Sequence, residues 1–96
     1  MKKSFPIETG CVVRSLAGRD EGRLFVVIQE IDADFVMVAN GKLRGMDRLK
    51  KNRRKHQKPT GGVVEELRSR LAKGEAVEDH EIRSWLMKEE EKLVQV

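Results

Sequence analysis

Residues 17–60 read AGRDEGRLFVVIQEIDADFVMVANGKLRGMDRLKKNRRKHQKPT, and how this stretch is parsed decides the fold. Residues 24–31 are rich in Val, Ile and Phe, which suit a pleated, half-buried surface and predict a strand. Asp32-Ala33-Asp34 is turn chemistry, because an aspartate carboxylate can hydrogen-bond the backbone two residues on. Phe35 to Ala39 is then the returning strand of a hairpin. Asn40-Gly41 is the strongest short hairpin signal in the chain and predicts that residues 43–46 turn back as another strand.

Working outward, residues 11–15 form a first strand candidate. The loop that follows holds Gly18 and Gly22 with charges between them, a spacing that marks a turn needing positive φ or close backbone approach. A fifth strand is expected near residues 53–57. Pro59-Thr60-Gly61-Gly62 punctuates the chain and is expected to end this unit. Residues 1–9 read as a loosely held lead-in in which Pro6 disfavours helix. Short strands with tight turns and no intervening helix point to a closed barrel or small sandwich. At about fifty residues an SH3-like barrel is the compact solution, with Phe25 and Phe35 in its core.

Beyond residue 60 the periodicity changes. Val64, Leu67 and Leu71 recur at helical spacing, with Glu65 and Glu66 early, Lys73 late and Gly74 suited to the C′ position. A second helix starts near Asp79, read as its N-cap, with Ile82, Trp85, Leu86 and Leu93 as its apolar stripe. Glu89–Glu91, interleaved with Lys88 and Lys92, are expected on a solvated face. The predicted class is therefore mainly β with an α appendage. Residues 1–60 form an SH3-like β-barrel, and residues 61–96 form a C-terminal helical hairpin.

Charge divides at the same place. Residues 1–60 hold 14 Lys and Arg against 7 Asp and Glu, and residues 61–96 hold 6 against 9, so their formal charges are +7 and −3. The first part is built to meet a polyanion. No basic amphipathic helix accompanies it, so a membrane surface is not the expected partner. No apolar run approaches the roughly 18 residues of a membrane helix, and no signal-peptide core follows Met1-Lys2-Lys3, so the expected location is the cytoplasm. The single cysteine, Cys11, lies in an apolar run and reads as a small buried hydrophobe.

Between Lys42 and Lys58 nine basic residues face one acid, Asp47. They are Lys42, Arg44, Arg48, Lys50, Lys51, Arg53, Arg54, Lys55 and Lys58. Arginine forks onto phosphate and lysine adds point charge, so the run predicts salt-dependent binding of nucleic acid. Asn52, His56 and Gln57 can add hydrogen bonds to sugars or bases. Arg19 and Arg23 extend the basic surface from the glycine loop. RNA is favoured over duplex DNA, because neither helix is basic enough to serve as a major-groove reader. With both Phe25 and Phe35 in the core, base stacking is expected to be weak.

Enzyme chemistry finds no foothold. The glycine loop lacks the Walker spacing and its Lys-Ser/Thr ending. His56 and His80 are far apart without soft ligands nearby, so no metal or cofactor is expected. Asp20, Glu21, Asp32 and Asp34 read as turn residues, and no nucleophile–base pair is evident. Trp85 reads as an anchor in the helical hairpin, or more sharply as a contact for a protein partner.

The segments AGRDEGR, FVVIQEIDADFVMVANG, LRG, KKNRRKH and KPT, in this order and spacing, resemble the archaeal and eukaryotic large-subunit ribosomal protein family fourteen-e. They also resemble a bacterial group described as KOW-domain RNA-binding proteins. Residues 10–22 look like the KOW motif, with Gly22 as its key glycine, and Asn52, His56, Pro59 and Thr60 continue the match. The resemblance covers residues 10–60. It implies an SH3-like barrel that binds ribosomal RNA, in which Arg19, Arg23, Arg48, Lys50, Lys51, Arg53, Arg54, Lys55 and His56 face RNA. Ribosomal proteins are further partners it implies, with a role in ribosome structure, assembly or translation. The rival class is a protein-interaction module, since KOW domains of elongation factors can bind proteins.

Overall fold

Five short strands with apolar residues on both faces build one antiparallel sheet, with two helices on one side of it. The computed structural model describes residues 6–94. The strands are β1 (Cys11–Ser15), β2 (Leu24–Glu30), β3 (Phe35–Ala39), β4 (Lys50–Arg53) and β5 (Gln57–Val63), followed by α1 (Glu65–Ala72) and α2 (Asp79–Val94). Their order across the sheet is β4-β3-β2-β1-β5.

Alternation assigns the two faces. Val13, Phe25, Val27, Val36 and Val38 form one buried cluster, joined by the half-buried Ile7. No helix residue belongs to it, so the sheet itself encloses these side chains. On the other face Val12, Leu24, Val26, Ile28 and Ala39 pack with Leu67, Ile82 and Leu86 of the helices. Both faces of β2 are therefore dry, which is why residues 24–28 are an unbroken apolar run.

The chain passes from edge to edge of this sheet in a single 3-10 turn, Arg54–His56. Five flat strands about 4.8 Å apart would separate the edges by about 19 Å. Three 3-10 residues at about 2 Å each cover far less. The sheet must coil, and two irregularities help it to do so. Ile28 is an extra residue in β2 between Val27 and Gln29. In β5, the step from Pro59 to Val63 opposes the shorter step from Val13 to Cys11. Such bulges bend a strand and raise its twist. Among the described residues no ladder joins β4 to β5, so the sheet is coiled but open.

Several sequence expectations change here. Residues 43–46 form no strand. Asn40 is buried, and its Oδ1 accepts the N–H groups of Lys42 at 2.9 Å and Arg44 at 3.1 Å. That side chain closes a longer loop instead of a two-residue hairpin turn. The strand expected near 53–57 is divided between β4, the 3-10 turn and β5. Pro59-Thr60-Gly61-Gly62 does not end the sheet but forms the bulge within β5, where Thr60 Oγ1 accepts the Gly62 N–H at 3.1 Å and donates to Val12 O at 3.0 Å. Of the lead-in, residues 1–5 lie outside the described residues.

The helices are part of the core, because Leu67 and Ile82 are 0% exposed. Burying each fully is worth about 1.5–3 kcal/mol. Gly74 takes the C′ position at φ +72°, as its place after Lys73 predicts. Asp79 is not the N-cap of α2. The helix already includes it, and its Oδ1 accepts the Met46 N–H at 2.8 Å, pinning the β3–β4 loop. The N-cap position falls to Glu78, whose N–H donates to Glu81 Oε1 at 3.2 Å. Glu89 also departs from its expected solvated face. It is buried, with its carboxylate against the backbone of Gly62, where a Cβ would stand 2.8 Å from Glu89 Cδ. Glu90 reaches Arg14 on β1 at 3.2 Å. Leu93, expected in the apolar stripe, is exposed.

Candidate nucleic-acid interface

The sheet topology brings three basic segments to one of its ends. Antiparallel pairing sets the close of β1, the start of β2, the close of β3 and the starts of β4 and β5 on the same side. The β1–β2 loop there carries Arg19 and Arg23, and the β3–β4 loop carries Lys42, Arg44 and Arg48, all exposed. The 3-10 turn joins them, since Leu16 N–H donates to His56 O at 2.8 Å. Arg23 and Lys42 line one open groove with Arg83.

Asp20 sits among these cations. Lys50 Nζ donates to its Oδ2 at 2.6 Å. That hydrogen bond, reinforced by the charges of Lys50, Arg23 and Arg44, holds the Asp20 carboxyl below its usual value against partial desolvation. Lys50 is thereby a loop clamp. Among the described residues Arg19, Arg23, Lys42, Arg44 and Arg48 have no ion-pair partner. Their shared charge remains available to an external anion.

The run from Lys50 to Lys58 is divided by strand alternation. Lys50 and Asn52 pair with Val38 and Val36 and follow the enclosed face. Lys51 and Arg53 pair with Met37 and Phe35 and follow the outer one. Arg54 is committed to the fold. Its guanidinium donates to Ile7 O at 2.7 Å, to Asp32 O at 2.8 Å and to Glu30 Oε1 at 3.2 Å. Lys55, His56 and Lys58 are exposed on the 3-10 turn and at the start of β5.

Phe35 corrects the expectation of a core phenylalanine. Phe25 is 0% exposed, but Phe35 is only half-buried and lies on the outer face. Lys51 Nζ lies 4.5 Å and the Arg53 guanidinium carbon 5.0 Å from its ring centroid. The turn before it is as expected: Asp32 Oδ1 accepts the N–H groups of Asp34 and Phe35, both at 2.8 Å. Those two bonds hold the Asp32 carboxyl below its usual value. The period-2 register carried the signal for Phe35, since Val36 and Val38 claim the enclosed face. Reading it required β4 to be placed at residues 50–53.

Trp85 is half-buried against the cluster beneath the helices, with the Arg70 guanidinium 5.9 Å from its ring. Among the described residues no group of three His, Cys, Asp or Glu side chains is placed to hold a metal ion. No described helix is long and apolar enough to cross a membrane. No protein-family model matches the chain, and a comparison with curated proteins finds no match.

Proposed function

We propose that this is a non-enzymatic RNA-binding protein with an SH3-like barrel of the KOW type. In this reading it holds ribosomal RNA of the large subunit in the cytoplasm, in ribosome structure, assembly or translation. One observation carries the proposal: five exposed cations on two loops share one end of the sheet, around a carboxylate already neutralised by Lys50. Such a rim follows an irregular phosphate backbone without needing a helix in a groove. A coiled sheet whose last strand pairs with its first supports the barrel assignment. The resemblance over residues 10–60 supports the RNA class.

The test is binding of the full chain to purified large-subunit RNA across a salt series, with Arg44→Glu plus Arg48→Glu as the variant. These two side chains are exposed and have no ion pair among the described residues, so the fold should survive the substitution, which the variant's circular dichroism spectrum and melt check. The wild type is expected to bind tightly with a steep salt slope. The variant's slope is expected to fall by about 0.7–0.9 for each phosphate it no longer neutralises. Weak binding by the wild type at all salt concentrations would overturn the proposal and turn the search to a protein partner.

A further inference from the structure

The outer face of the β3–β4 ladder carries an aromatic ring framed by cations, away from the basic rim. Phe35 and Met37 point outward from β3, and Arg53 and Lys51 stand directly opposite them on β4. Gln29, exposed at the bulge of β2, is paired with Met37 and extends the same face. The helices cover this side of β3 only at Ala39, leaving Phe35 and Met37 half-buried. The geometry points to a stacking site for an unpaired RNA base on Phe35, with Lys51 and Arg53 holding the phosphates on either side.

The chemistry fits that occupant. A nucleobase offers a flat π-face to the ring whatever its identity. The two cations already lie over the ring, within the roughly 6 Å range of cation–π attraction. Both ride on flexible stems, so an arriving base takes their place on the ring while they swing to the flanking phosphates. Arg53 can also stack its guanidinium plane on the base. A bare apolar peptide would have to cover two exposed cations here with nothing to pair them, whereas a single strand supplies a base and a charge at each step. Duplex RNA keeps its bases stacked inside and gains nothing from Phe35.

This inference rests on the RNA-binding reading and names the part of the RNA that this face takes. The experiment uses the full chain and fluorescence anisotropy with three probes: a short single-stranded oligoadenylate, the same backbone with abasic sites, and a paired RNA of equal length. The wild type should bind the oligoadenylate about tenfold more tightly than the abasic strand. Phe35→Leu should erase that difference, Phe35→Tyr should keep it, and neither should change binding of the paired RNA. Equal wild-type affinity for the oligoadenylate and the abasic strand overturns the stacking site while leaving the RNA-binding reading standing. No binding of any probe overturns both. The abasic comparison needs no variant, so the outcome does not depend on how Phe35→Leu folds.

Discussion

Ending the chain after Val63 should abolish folding, although all five strands remain. The outer face of the sheet would lose its cover over Val12, Leu24, Val26 and Ile28, now 0%, 7%, 1% and 8% exposed. Fully burying a Val, Leu or Ile is worth about 1.5–3 kcal/mol, so uncovering four costs up to about 6–12 kcal/mol. That is an upper bound, because neighbours on the sheet keep part of each side chain dry. A small domain holds about 5–15 kcal/mol in all, and one of this size sits toward the low end. The β3–β4 loop also loses Asp79, the acceptor of its Met46 N–H. Far-UV circular dichroism with thermal melting, on the fragment and the full chain side by side, reads the result directly. The fragment should show no cooperative transition. A cooperative melt near the full-length midpoint would refute the reasoning and show that the sheet holds its fold without the helices.

Gly41→Ala should destabilise by about 2–4 kcal/mol, from the left-handed backbone and from overpacking. Gly41 sits at φ +76°, and a Cβ would stand 2.9 Å from Arg83 Cγ, closer still to the Asp79 carbonyl. An unchanged melting temperature would mean that the loop does not dock on α2 in solution. Acid should also destabilise. Hydrogen bonds from Lys50, from the Asp34 and Phe35 backbone, and from Arg70 depress the carboxyls of Asp20, Asp32 and Glu81 respectively. A depressed carboxylate contributes stability that is complete above its unfolded pKa near 4 and is lost as pH falls through the folded value. Melting temperature should therefore hold from pH 7 to about 5 and fall below about 4. Asp20→Asn should flatten part of that fall, and a melting temperature that stays level in acid would refute the assignment.

The bounds of β1 and β3 and the turn at Asp32 were legible in the sequence because each depends on neighbours in the chain. Composition alone marks residues 11–15 and 35–39 as strands, and the Asp32 carboxylate acts two and three residues on. What failed depends on distant partners. Asn40-Gly41 has hairpin chemistry, but the docking of Gly41 and Met46 on α2 selects a longer loop. Pro59-Thr60-Gly61-Gly62 looks like a terminator until β1 lies beside it, and then its two glycines form a bulge. Glu89 belongs by composition to a solvated face, yet Gly62 leaves a space that its carboxylate fills. For the basic surface, the count of charges was legible. Their division into a rim, an outer face and two internal clamps, Lys50 and Arg54, follows from register and from hydrogen bonds that span up to 47 residues.

The pairing of β1 with β5 has a consequence for how the molecule comes into being. The second strand of the chain lies beside the first at once, but the other flank of β1 stays vacant until residues 57–63 arrive from the far end. Such remote pairing slows folding, because a long loop must close before the pairing rewards it. During synthesis β1 waits with an open edge while the lysines and arginines emerge. A chain halted before Val63 carries the +7 formal charge of residues 1–60 with neither a complete β5 nor the helices in place. Only when residues 64–94 follow does the acidic part of the chain cover the outer face of the sheet, so the fold is completed by the segment that is made last.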